Sequence, residues 1–160
     1  MLKALGEQLK LLSADPQNHY TSAIRQLTGP REAVRYGQPL RQMILALPKM
    51  IAQLRHWSNE SGLPIRVRRI HVFALDYLYN PTDFLPANDS GFFRYLDDAY
   101  LIARIYLQTL QEKDSSGFKN QCDDPDIEKQ APKWIDLARR LLPRETLKID
   151  KLVDNVAQNK

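Results

Sequence analysis

The amino-acid sequence predicts an all-α protein, a compact bundle of about six or seven helices around a central helical hairpin. Three observations lead there. Apolar residues recur at helical spacing along nearly the whole chain. No alternating apolar–polar run lasts long enough to demand a strand, although Ile65 and Val67 begin one. Prolines and glycines fall between the apolar stripes, where they end one helix and begin the next.

Leu2, Leu5, Leu9 and Leu12 form the first stripe, stopped by Ser13 and Asp15-Pro16. Tyr20, Ala23, Ile24 and Leu27 form the second, ended near Gly29-Pro30. Leu40, Met43, Leu47, Ile51 and Leu54 give a longer third helix with Pro39 in its first turn. Pro48 inside that stripe removes a hydrogen bond, so the helix should bend or split there. Residues 58–62 read as a loop. Pro64 then opens a fourth helix carrying Ile70, Phe73, Ala74, Tyr77 and Leu78. It must end near Tyr79, because Pro81 disfavours helical geometry at Asn80. Leu96, Ala99, Ala103, Leu107 and Leu110 line a fifth helix. Lys113 to Asp126 reads as a loop, and Pro132 starts a helix with Trp134, Ile135, Ala138, Leu141 and Leu142. Pro143 closes it. Ile149, Leu152, Val153 and Val156 define the last helix, and the two terminal helices should pack on the hairpin through Trp134, Leu141, Leu152 and Val156.

With 160 residues, 43% apolar and 26% charged, the chain suits one globular domain over 1–160. Residues 1–60 form an N-terminal helical layer and 64–113 the hairpin core. The most apolar region, Gly91 to Leu110, carries Arg94, Asp97, Asp98 and Arg104, which excludes a membrane span. Lys3, Glu7 and Lys10 interrupt the first stripe, so it lacks a signal-peptide core. Cys122 is the single cysteine and permits no internal disulfide. These features predict a cytoplasmic protein. Residues 1–70 hold 11 Lys/Arg against 4 Asp/Glu, whereas 71–160 hold 12 against 15. The basic half suits either a phosphate-rich partner or the chain's own acidic half.

One segment stands apart. A helix ends in Tyr77-Leu78; a turn follows with Asp83 between Pro81 and Pro86; Gly91 comes next, and Asp97-Asp98 opens the following helix. In order and spacing these residues resemble the YkvA-like bacterial domain of unknown function. The likeness covers about 35–40 residues, Ile70 to Tyr106. The run Ala87-Asn88-Asp89-Ser90 is polar where the family is usually apolar. The resemblance implies a bacterial fold core and carries no biochemical activity with it.

The carboxylates of this segment have two readings. In the architectural one, Asp83 caps the turn or a short helix beginning at Phe84, while Asp97 and Asp98 face the positive end of their helix dipole. Asp97 can then reach back toward 81–86, with Arg94 or Arg104 pairing one of the carboxylates. In the other, Asp83, Asp97 and Asp98 supply oxygens to Mg²⁺ or Ca²⁺, the ligands those hard cations prefer. Adjacent helical residues diverge by about 100°, so Asp97 and Asp98 do not readily share an ion.

Arg55, Arg66, Arg68 and Arg69 form the densest basic patch and suit phosphates or an acidic partner. Phe84, Phe92 and Phe93 lie in an aromatic-rich span as candidate anchors for a protein partner. His19, His56 and His71 have no ligand spacing and read as structural. Cys122 beside Asp123-Asp124 lacks the surroundings of a reactive thiol. Without a catalytic constellation, the sequence points to a non-enzymatic protein-binding or adaptor module. Two alternatives stay open: a hard-cation-dependent enzyme using the aspartates, and binding of nucleic acid or an anionic membrane surface through the N-terminal arginines.

Overall fold

A computed structural model describes residues 2–15, 20–60, 62–79, 92, 95–116 and 125–158. Among them are eight helices and no strand: α1 (Leu2–Ala14), α2 (Tyr20–Thr28), α3 (Pro30–Leu45), α4 (Leu47–Ser58), α5 (Ile65–Tyr79), α6 (Leu96–Ser116), α7 (Pro125–Leu141) and α8 (Pro143–Gln158). The all-α bundle is as expected, with one or two more helices than the stripes resolve.

Several boundaries follow from proline chemistry as anticipated. Pro48 lies in the first turn of α4, where its missing N–H costs nothing. A single residue, Ala46, separates α3 from α4 and serves as the C-cap of one and the N-cap of the other. Gly29 precedes α3 with φ 88° and ψ 165°, a conformation that L side chains rarely adopt. An added Cβ there would meet no atom within 4 Å, so only the backbone objects to substitution. Gly29→Ala should therefore lower the unfolding free energy by about 1 kcal/mol, read as a shift in urea midpoint at constant slope.

Two prolines sit elsewhere than expected. Pro39 lies inside α3, which begins at Pro30, and Pro132 lies inside α7, which begins at Pro125. An interior proline costs about 3 kcal/mol or more. Each helix nonetheless buries residues on both sides of it. In α3 these are Ala33 and Tyr36 before Pro39 and Leu40, Met43 and Ile44 after. Each large apolar side chain contributes about 1.5–3 kcal/mol on burial, so together they outweigh the lost bond. Likewise, the segment expected as a loop from Lys113 is helical to Ser116.

The centre of the bundle is α6, packed against α3, α4, α5, α7 and α8. It buries Leu96, Ala99, Tyr100, Leu101, Ile102, Ala103, Ile105, Tyr106 and Leu110, which point in every direction around its axis. A helix that is apolar all round belongs in an interior. One core runs from Leu9 of α1 to Val153 of α8, so the first 60 residues share it with the rest. Trp134 and Leu141 are buried as expected and Val156 packs at the edge, but Leu152 is 39% exposed and lies outside the core. Trp57 fills the space between α5 and α6, its ring 5.1 Å from Tyr106 and 6.4 Å from His71.

Candidate functional site

Two concavities bring together residues that the sequence singled out for separate reasons. The first is a cavity of about 210 Å³ between α1, α4, α5 and α6. Its apolar wall is Leu2 and Leu5 of α1, Leu47 and Ile51 of α4, and Leu75 and Leu78 of α5. Three polar side chains join them: Arg55, Tyr95 and Asp98. Helical spacing explains the wall, since Leu2 and Leu5, and Leu75 and Leu78, are each three apart and share a face. The same rule places Leu47, Ile51 and Arg55, four apart each, along one flank of α4.

The second concavity is a shallow groove between α5 and α8. Ile65, Arg68, Arg69, Val72, Phe73 and Asp76 of α5 form its floor and one side, with Val156 of α8 opposite. Ile65 and Val72 are seven residues apart on one face and stay 69% and 61% exposed. The arginines lie between them. Arg68 donates to the Glu60 carbonyl at 3.0 Å and remains exposed. Arg69 has no hydrogen-bond or ion-pair partner among the described residues. Arg66 turns away and pairs with Glu112 of α6.

The expected basic patch is thus divided. Arg68 and Arg69 share the groove, Arg66 is occupied by Glu112, and Arg55 lines the cavity on another flank of α5. Asp97 and Asp98 lie in the first turn of α6 as anticipated. Asp97 is buried in that turn, where the helix dipole favours negative charge, and its Oδ1 accepts the Asp98 N–H at 2.9 Å. Asp98 faces the cavity instead. Asp83, Phe84 and Phe93 lie outside the described residues, as do His19 and Cys122. Among the described residues no three metal-capable side chains gather. Phe92 requires a correction: it is fully buried, meets Tyr20 edge-on at 5.2 Å, and offers no surface to a partner. Arg41 lies over both rings, 5.0 and 5.5 Å from their centroids, and donates to the Ser13 carbonyl and hydroxyl.

Arg104 does not pair with Asp97 or Asp98. It reaches α8, with Nε 3.2 Å from Asp150 Oδ1 and a terminal nitrogen 3.2 Å from Asp154. The Tyr100 hydroxyl donates to Asp150 Oδ1 at 2.7 Å, and Arg139 of α7 donates to that hydroxyl at 3.0 Å. Burial, reinforced by the Asp150 carboxylate, pushes the Tyr100 phenol well above its ordinary pKa. Every member of this cluster is partnered, and it ties α6, α7 and α8 together. His56 lies in the last turn of α4, 3.5 Å from Glu60.

His71 is fully buried on α5. The Thr109 hydroxyl donates to the Ile105 carbonyl at 2.8 Å, which leaves its oxygen to accept His71 Nε2–H at 2.7 Å. The proton is therefore on Nε2, and Nδ1 has no partner among the described residues. Burial, helped by the charge of Arg68, holds the His71 pKa down at about 4.

Comparison with family models, with curated proteins and with solved structures found no match to this chain.

Proposed function

We propose that the chain is a non-enzymatic protein-binding module whose α5–α8 groove receives an acidic amphipathic helix of a partner protein. The observation that carries this reading is the pair of exposed residues Ile65 and Val72 with Arg68 and Arg69 between them. Large apolar residues seven apart on one helix face suit a partner helix with the same repeat. Guanidinium groups beside them suit carboxylates on that helix. Asp76 at the far end favours a basic residue there, which fixes the direction in which the partner lies. The architectural reading of Asp97, whose carboxylate accepts a backbone N–H in the first turn of α6, agrees with a module that does no chemistry of its own.

A photo-crosslinking side chain at Val72, in a native lysate, tests the proposal. The expected product is a protein adduct whose crosslinked segment is acidic with apolar residues three or four apart. The double variant Arg68→Glu/Arg69→Glu should reduce the adduct at least about tenfold, as like charges meet across the interface. A nucleic-acid or lipid adduct would favour the phosphate-rich alternative. Equal labelling from Val34, which is 82% exposed and belongs to α3, would mean that the groove selects nothing.

A further inference from the structure

We infer that the cavity between α1, α4, α5 and α6 is a binding site for a small neutral amphiphile, with a body the size of a benzene ring and one amide- or hydroxyl-type head. This is a site separate from the α5–α8 groove and stands without it. The volume of about 210 Å³ sets the size. An apolar protein cavity of about 150 Å³ accepts benzene, so the remaining space suits a head of two or three atoms.

The polar residues set the chemistry of that head. Arg55 brings a positive charge and only donors, and Asp98 brings a negative charge and only acceptors. A carboxylate would be drawn to one and repelled by the other, and an ammonium would meet the same conflict reversed. A neutral group that both accepts and donates satisfies both without an unpaired charge. The Tyr95 hydroxyl, which does either, adds to the match. Arg55 and Asp98 each also have a partner within the fold. A guanidinium has five N–H donors and a carboxylate about four lone-pair positions, so each can keep those partners and still meet a ligand. The six aliphatic side chains of the wall hold the body.

Benzamide, benzoate and benzylamine share a ring and differ in the charge of the head, so they are the probes. Titrations followed by amide chemical shifts should give benzamide a Kd of about 1 mM or tighter, within what nine non-hydrogen atoms can supply. Benzoate and benzylamine should bind at least fivefold more weakly, and the shifts should centre on α1, α4 and α5. Filling the cavity with Leu75→Phe should abolish benzamide binding while leaving the melting temperature unchanged or raised. Leu5→Phe closes it from α1 and repeats the test independently. In Asp98→Asn the lining becomes net cationic, and benzoate should overtake benzamide. Absence of benzamide binding, unchanged binding to both filled variants, or tightest binding of an ion to the wild type would overturn the inference.

Discussion

Acidification from pH 7 to pH 4 should destabilise the wild-type protein by on the order of 3 kcal/mol more than it destabilises His71→Leu, and the cause is one imidazole. The ring is fully buried between Trp57 and Thr109, where a charge would be poorly solvated, and its pKa in the fold is about 4 against an ordinary 6.5. Above pH 6.5 the ring is neutral in both folded and unfolded chains, and it adds no pH dependence. Between 6.5 and 4 the unfolded chain binds the proton and the folded chain does not, so stability falls as the solution is acidified. Below about 4 both are protonated and the loss is complete. Carboxylates titrating in the same range act in both proteins, and the difference isolates His71. Urea denaturation at half-unit pH steps makes the measurement. Parallel curves for the two proteins would rule out a buried neutral histidine as the origin of acid sensitivity.

Asp150→Ala should cost about 2–3 kcal/mol at pH 7. The substitution removes the acceptor of the Tyr100 hydroxyl and an ion-pair partner of both Arg104 and Arg139. The figure stays below that for a fully buried pair because Arg104 and Asp150 retain 17% and 19% side-chain exposure, and water screens part of their attraction. Arg104 also keeps Asp154 and Gln108. Tyr100→Phe alone should cost about 1 kcal/mol, and adding it to Asp150→Ala should cost less than that, because the bond between the two is already gone and only the one from Arg139 is left to lose. A loss below about 0.5 kcal/mol for Asp150→Ala would mean that α7 and α8 are held by apolar packing alone.

What the sequence makes legible here is local. The break beside Pro48, the end of α5 at Tyr79 and the start of α8 at Pro143 follow from proline geometry within a few residues. Pro39 and Pro132 defeat the same rule because side chains on both sides of them are buried by other helices, and no local pattern records that burial. Arg104 illustrates the point in another way. Its neighbours in sequence suggested Asp97 and Asp98, yet its partners are 46 and 50 residues away on α8. The cavity is legible only in parts: Arg55 and Asp98 each stood out, one in a basic patch and one in an acidic pair. Their shared site exists because α4 and α6 pack side by side, with α1 and α5 completing the wall. Phe92 misled for a related reason, since an aromatic residue near a turn reads as an anchor until Tyr20 and Arg41 are found around it.

Ala46 leaves the chain no slack where α3 meets α4. Each residue advances a helix by about 100° and 1.5 Å, so one inserted or deleted residue at that joint would turn the whole of α4 about its axis. Leu54 and Trp57 would swing out of the interior, and Leu47 and Ile51 would turn away from the cavity. The spacing from Pro30 to Ser58 is therefore fixed in length as well as in composition, and descendants of this chain should vary there by substitution and almost never by gaps.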